Sequence, residues 1–394
     1  MLARWCEGVS IKKGIHRKVL FYFDIGPGIG LGHAMRCIAL AEAFRDQSFQ
    51  PVLLGEGQAE LESLAPGLFF PLPAHDRDYF FTDPEGWVRE LCCDAYQIFV
   101  VDSYRMPLEQ LDRYRQAGLY VVYMDDFYSS PIGCNLVING SLAAEGAEYT
   151  FCHDEGIYLA GPHYALLRQQ VRTIRTKRIK EKVPLSESPL EANAPVPIAM
   201  HQSVKLRVLV TVGGDDVQGH LPSILAGLEL FISNCQEIND FRVHVVLGPF
   251  MKPPTAAWDR HWIQWHKPPI NILDLAASVD MAIIAAGVTL QEMLCIGVPI
   301  LLVLQADNQL LSAKVAISGG MSISLHPELQ AMDWDGSVSR LAPLDPRFIA
   351  GQLHRLFAGL EAQRIVQCGM LKMDGLGAAR CVSVALEHAK AICR

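Results

Sequence analysis

The feature that most constrains this chain is a repeated alternation of short β-branched or aromatic runs with longer amphipathic stretches. Such alternation marks βαβ units feeding a parallel sheet, whose strands are buried on both faces and read as near-continuous apolar segments. The first series of runs occupies 19–23, 51–54, 98–101, 120–123 and 136–138. After the first run, Cys37, Leu40, Ala41 and Phe44 fall at i, i+3, i+4 and i+7, which predicts a helix burying that stripe on the sheet. A second series occupies 206–212, 243–247, 281–285 and 300–304. Between the two series, residues 173–205 are basic and rich in proline, with too few regularly spaced apolar residues to pack, and are read as a linker. The expectation is therefore two α/β domains, 16–172 and 206–375, followed by a terminal segment, 376–394. In that segment Val382, Ala385, Leu386 and Ala389 share one helical face. By analogy with two-domain folds of this kind, the terminal helix is expected to cross back to the first domain.

Composition narrows the function. With 394 residues, half of them hydrophobic, the chain is too long for one ordinary core. A net charge of −8 gives no electrostatic reason to expect nucleic acid or an anionic membrane as partner, so a small molecule is expected. Eleven scattered cysteines without a CxxC pair argue against a disulfide scaffold and a zinc site, and read as reduced cytoplasmic thiols. Residues 1–18 hold no apolar stretch suited to a secretory signal. The most apolar region, 273–306, is interrupted by Asp280, Glu292 and Pro299, so no integral membrane segment is expected.

Two glycine turns carry the chemistry. DIGPGIGLGH, at 24–33, lies between the first strand and first helix, where backbone can approach a bound group and the helix N-terminus favours negative charge. Asp24, Gly30, Gly32 and Arg36 are candidate substrate contacts. Glu56, after the second strand, stands where a dinucleotide fold places its ribose-binding acid, but the third position of GxGxxG falls on Leu31 or His33. A nicotinamide or flavin site is therefore not expected, and no cofactor is assigned. His33 opens the helix, where the dipole disfavours imidazolium and keeps a ring able to accept a proton. A solvent-facing polar residue is the alternative at that position.

In the second series, Gly213 and Gly214 end a strand where N–H groups can face a diphosphate, and Gly248 ends the next. AAGVTLQEMLCIGVP, at 285–299, turns at Gly287 and opens a helix carrying Thr289 and Glu292. These suit a phosphate and a ribose, although the same spacing also suits a capping box. QADNQ, at 305–309, places amides at the sheet edge, or caps a helix through Asp307. Asp125 and Asp126 are adjacent and not in a DxD pattern, read as a strand-end turn, and no metal ligands are assigned.

Together these pieces resemble the GT-B nucleotide-sugar enzymes that include the MurG-like glycosyltransferases, and most closely the UDP-sugar hydrolases of the pseudaminic acid pathway. The resemblance rests on the segments at 19–41, VVDSY at 100–104, MDDF at 124–127, GPHYALLR at 161–168, VGGDD at 212–216, and the 285–299 segment followed by DNQ. It covers about 18–320 apart from the linker. It implies two Rossmann-like domains with parallel sheets facing an interdomain cleft, and His33 as the base. It implies Tyr104 near the sugar, Thr289 and Glu292 on the diphosphate and ribose, and Asn308 and Gln309 facing the sugar or diphosphate. The implied reaction is inverting, metal-independent hydrolysis of a UDP-linked deoxy, acetamido sugar, releasing UDP and free sugar for surface glycan synthesis. A glycosyltransferase using the same loops, or a binding protein with idle chemistry, are the alternatives. The chain departs from the pattern at Tyr22, where the hydrolases usually carry arginine, and in the extra segment 324–348.

Overall fold

The computed structural model describes residues 17–25, 31–55, 57–91, 96–128, 130–182, 204–248, 251, 258–267, 270–330 and 336–392. The chain divides into two units, Met1–Gln169 with Gly375–Arg394, and Gln170–Asp374.

In the first unit the order is β1 (Arg17–Phe23), α1 (Gly32–Asp46), β2 (Phe49–Leu53), α2 (Gln58–Leu64), β3 (Phe70–Pro71), α3 (Ala74–Thr82) and α4 (Pro84–Leu91). It continues through β4 (Tyr96–Asp102), α5 (Leu108–Gln116), β5 (Tyr120–Met124), β6 (Leu136–Asn139) and β7 (Ile157–Ala160). All seven strands pair in parallel in the order β3-β2-β1-β4-β5-β6-β7. Both faces of this sheet are covered, which is why its central strands are uninterrupted apolar runs. Val19, Phe21, Val100 and Val122 point to one core with Cys37, Leu40 and Phe44 of α1. Leu20, Phe99, Val101 and Val121 point to the other, where Phe80 stacks on Tyr114 and meets Trp87 edge-on.

The second unit begins with α6 (Gln169–Lys182), whose first residue belongs to the first unit. It continues through β8 (Val204–Thr211), α7 (Leu221–Ser233), β9 (Ile238–Val246), β10 (Ile263–His266), α8 (Ile272–Ala276), β11 (Met281–Ala285) and α9 (Val288–Ile296). β12 (Ile300–Val303), α10 (Leu310–Ser318), β13 (Ile323–Ser324), α11 (Pro346–Phe357) and α12 (Leu360–Lys372) complete it. Its six parallel strands run β10-β9-β8-β11-β12-β13. The last helix, α13 (Gly377–Ile392), packs on α1 through Val382, Ala385 and Ala389, with Leu386 partly buried beside them. At its start, a Cβ on Gly377 would stand 2.2 Å from the carbonyl oxygen of Ala165, so only glycine permits that approach.

The segment read as linker needs correction: 173–182 are helical, within α6, and residues 183–203 of it lie outside the described residues. The sparse apolar pattern there misled because α6 is fastened by charge. Arg178, 4% exposed, donates to the carbonyls of Ala276, Ala277, Val279 and Gly297. Arg175 donates to Cys295, Met370 and Met373. These carbonyls lie at or near the C-terminal ends of α8, α9 and α12, where helices leave acceptors unmet and the dipole favours a cation. The extra segment 324–348 contributes β13, short 3-10 turns at Pro327–Gln330 and Val338–Arg340, and the start of α11; residues 331–335 lie outside the described residues.

Removing the Arg178 guanidinium strips partners from several buried carbonyls at once. Arg178→Ala is expected to cost about 3 kcal/mol, whereas Lys180→Ala, an exposed change on the same helix, should stay within about 0.5 kcal/mol. Urea unfolding of the two variants beside the parent chain measures both.

Candidate active site

In parallel sheets, ligands bind at the carboxyl ends of strands where the chain reverses its direction of winding, because the flanking loops there part to opposite faces. In the first sheet that point lies between β1 and β4, and in the second between β8 and β11. The residues that follow β8 and β11, Gly213, Gly214 and Gly287, stand at the switch point of the second sheet, and Asp24 and His33, on either side of the first glycine segment, stand at that of the first.

At the first switch point a charged network is built from four segments. Arg36, on the first turns of α1, meets Asp102 at the end of β4 with two bonds, Nε to Oδ2 at 3.1 Å and Nη2 to Oδ1 at 2.8 Å. Its Nη1 donates to Asp126 Oδ1, just past β5, at 2.6 Å. The phenol of Tyr104 donates to the other oxygen of Asp126 at 2.6 Å, and the Tyr104 amide donates to Asp24 at 2.9 Å. Asp102 is fully buried, and that burial holds its carboxyl above the usual carboxylate range against the pull of Arg36 and His33. Burial also acts on Asp126, but Arg36 and the Tyr104 phenol outweigh it and hold its carboxyl below that range. Arg36 is buried too; Asp102 and Asp126 overcome that cost and raise its pKa well above the ordinary value. Burial and Asp126 push the Tyr104 phenol up, so the phenol is a donor throughout the physiological range.

His33 sits beside this network. Its ring is 4% exposed and lies under Tyr104, ring centroids 4.4 Å apart in an edge arrangement. Nε2 is 3.7 Å from Asp102 Oδ1, longer than a hydrogen bond and short enough for the carboxylate to stabilise an imidazolium. Nδ1 is buried and has no hydrogen-bond partner. A buried histidine with one nitrogen facing a carboxylate and the other unpartnered is arranged to take a proton at the second and share the resulting charge with the acid at the first.

Several sequence readings change here. Arg36, expected to touch substrate, is bonded to Asp102 and Asp126 and keeps part of its side chain exposed. The strand-end reading of the adjacent acids fits Asp125, which is buried and accepts from the Tyr149 hydroxyl at 3.0 Å, but Asp126 joins the site. Asp102 stands within the VVDSY segment and Asp126 within MDDF; the signal in the sequence is their position at or just past the ends of β4 and β5. Asp24 is buried and accepts the Tyr104 amide, and Gly32 directly precedes His33, whereas Gly30 and Glu56 lie outside the described residues. Tyr22 packs edge-on against Phe81 at 5.4 Å.

At the second switch point, Gly213 has φ +106° with open space where a side chain would stand. A Cβ on Gly248 would fall 2.1 Å from the Gly214 carbonyl oxygen, so these turns pack backbone to backbone. Gly287 is the N-cap of α9 and has nothing near its missing side chain. No side chain caps this helix, so the capping box between Thr289 and Glu292 does not form. Thr289 is half-buried in the first turn and Glu292 is buried at 3% exposure. An uncapped helix N-terminus beside open glycine turns suits an anion. Asp307 does not cap its helix either; its carboxylate accepts from the Val338 amide. Asn308 is exposed, while Gln309 turns its carbonyl back to the Gln305 amide at 2.9 Å. Gln305 in turn donates to Asp216, which also receives the amides of His220 and Leu221. Among the described residues, no group of three or more His, Cys, Asp or Glu can hold a metal ion, and no helix is long and apolar enough to cross a membrane.

No protein-family model matches the chain. Over 125 residues it is 29% identical to the spore coat polysaccharide biosynthesis protein SpsG of Bacillus subtilis strain 168, a match covering 30% of this chain and about a third, 35%, of that protein. Among solved structures it is similar to MurG of Acinetobacter baumannii, with TM-score 0.54 and 12% identity over 94% of this chain and 99% of that one. It is also similar to Phytolacca americana UGT2 complexed with UDP-2fluoro-glucose and pterostilbene, with TM-score 0.57 and 11% identity over 95% and 100%. A putative UDP-N-acetylglucosamine 2-epimerase of Listeria monocytogenes gives TM-score 0.54 and 10% identity over 96% and 97%. The fold is of the GT-B type shared by such structures.

Beneath the second set of loops, His326 is fully buried and accepts the Leu304 amide at 3.1 Å, while His220 contacts the Leu304 carbonyl at 2.9 Å. Burial, with the neighbouring His220, lowers the His326 pKa to about 4. The unfolded chain therefore takes up a proton as pH falls below about 6.5, while the folded chain resists until near 4. Stability is full above that window and is lost downward through it, by about 3 kcal/mol from this ring. His326→Gln, which keeps an acceptor and cannot titrate, should flatten the decline in urea midpoint between pH 7 and pH 4.

Proposed function

We propose that this protein is a metal-independent, inverting enzyme acting on a UDP-sugar, and that it transfers the glycosyl group to the hydroxyl of an acceptor. The observation that carries the reading is His33, buried, with Asp102 beside Nε2 and no partner at Nδ1. The acceptor hydroxyl gives its proton to Nδ1 as its oxygen attacks C1 from the face opposite the leaving group. The bond from C1 to the diphosphate oxygen breaks, and its electron pair leaves with UDP. Asp102 stabilises the imidazolium, and Arg36 and Asp126 hold Asp102 and Tyr104 in place. Burial makes His33 well shielded from bulk water, so its charge interaction with Asp102 is stronger than at the surface.

The nucleotide is assigned to the second unit. Gly213, Gly214, Gly248 and Gly287 offer backbone to the diphosphate, Thr289 adds a hydroxyl and Glu292 receives the ribose, with Asn308 and Gln309 toward the sugar. UDP is a good leaving group that needs charge stabilisation more than a proton, which an uncapped helix N-terminus supplies. The relatives favour transfer: MurG and UGT2 share the fold, and the SpsG name places that protein in surface polysaccharide synthesis, a setting this chain fits if it acts in the cytoplasm. A second reading, hydrolysis of a UDP-linked deoxy, acetamido sugar of the pseudaminic type, is favoured by the separated segments around His33, Tyr104 and Thr289, with water replacing the acceptor at Nδ1.

UDP release is measured with a panel of UDP-sugars, with and without hydroxyl compounds and with EDTA. Transfer predicts release that rises with acceptor; hydrolysis predicts the same rate without it. In either reading His33→Ala should lower turnover by about 10²–10⁴-fold, with Asp102→Asn also impaired, while UDP affinity stays near the parent value. Turnover that survives His33→Ala removes His33 from its role.

A further inference from the structure

Phe127 has no part in the scheme above, yet it stands next to it. It directly follows Asp126, is 56% exposed, and its ring lies 4.8 Å from that of Tyr104, itself 44% exposed and 4.4 Å from His33. Three rings thus form a row that begins at the buried base and ends in solvent. Tyr104 is held at both ends, by its phenol on Asp126 and its amide on Asp24, so its ring presents a fixed surface. The following residue, Tyr128, has φ +58°, a backbone region that bulky side chains rarely adopt. An exposed phenylalanine forgoes the gain of burial, and the turn that presents it is itself unfavourable. Two local costs therefore coincide beside the base.

What covers the rings follows from the base. Nδ1 of His33 is buried and unpartnered, and the partly exposed ring of Tyr104, packed edge-on against the imidazole, is the aromatic surface next to it. Under the proposed reaction, on which this step rests, the molecule that gives Nδ1 a proton carries the nucleophilic hydroxyl. Water needs no aromatic wall. Fixed, solvent-facing rings gain most from a flat ring face rich in C–H, with its hydroxyls at the rim to meet His33 and Asp126.

We infer that Tyr104 and Phe127 form an aromatic platform for the acceptor, which is a hydroxyl compound with an apolar ring face, of the sugar or aryl glycoside class. Phe127 sets acceptor specificity, and an open-chain polyol is a poor ligand.

The test is saturation-transfer NMR on the full chain, with phenyl β-D-glucopyranoside and glycerol as probes at millimolar concentrations. The ring protons of the glucoside should saturate and those of glycerol should not. Phe127→Ala should weaken glucoside binding roughly tenfold and Phe127→Trp should restore it, with melting temperatures near the parent value showing that both variants fold. The platform is overturned if the glucoside does not bind, if glycerol saturates as strongly, or if Phe127→Ala binds as the parent does. It is also overturned as an acceptor site if, in Phe127→Ala, the sugar protons of a bound UDP-sugar lose saturation in place of the glucoside's. UDP binding by calorimetry on the same parent sample judges the nucleotide reading separately: its absence sinks the proposed function, whereas a glucoside failure with UDP bound sinks only the platform.

Discussion

The candidate site depends on one buried ion pair, the two-pronged contact of Arg36 with Asp102. Asp102 closes β4 with no exposure, and a carboxylate placed there without a partner would be very costly. The planar guanidinium of Arg36 meets both of its oxygens and still reaches Asp126, a geometry that lysine cannot reproduce. Asp126 fixes the phenol of Tyr104, and Tyr104 covers the ring of His33. Removing Arg36 would leave two acids facing each other in a confined space, a change of the kind that costs about 3–5 kcal/mol. Because a buried pair is weak evidence for net stability, its arrangement is better understood as positioning: it fixes the orientation of the acid beside the His33 ring.

The second unit meets the same topological requirement with the opposite material. Its loops hold their acids in bonds to amides and bring glycine backbone to the strand ends. Gly213, Gly248 and Gly287 remove side chains where turns must approach each other or leave space, and α9 starts without a side-chain cap. Asp216 and Gln305 lock the neighbouring loops by hydrogen bonds, so the glycine turns are held by their surroundings and need not be stiff themselves. One switch point thus gathers buried charge, and the other leaves glycine backbone and a helix N-terminus of the kind that suits an anion.

How legible this was in the sequence follows from burial. The central strands were readable because both faces are covered: β11 was predicted with its observed bounds, and β1, β4, β5 and β12 to within a few residues. The four strands missed, β3, β7, β10 and β13, are the edges of the two sheets. β3 is two exposed residues, β10 is mostly half-buried, and β13 is two residues long, so none presents a sustained apolar run. Helix α6 was missed for a different reason, since arginine to carbonyl bonds hold it and a hydrophobic pattern does not record them. His33 was found because a glycine turn announces a helix start.

Asp102 and Asp126 show what local pattern cannot supply. Asp102 ends β4 and Asp126 lies two residues past β5, positions where an acid ordinarily serves a turn, as Asp125 does through Tyr149. Which of the acids joins the network depends on whether Arg36 reaches it, and Arg36 lies 66 residues from Asp102 and 90 from Asp126. The strand order decides that contact: placing β4 directly beside β1 brings the end of β4 under the first turns of α1. Topology therefore brings an ordinary strand-end aspartate beside His33, and the turn after β5 leaves a phenylalanine in solvent three residues past the strand, its ring against the tyrosine that packs on that histidine.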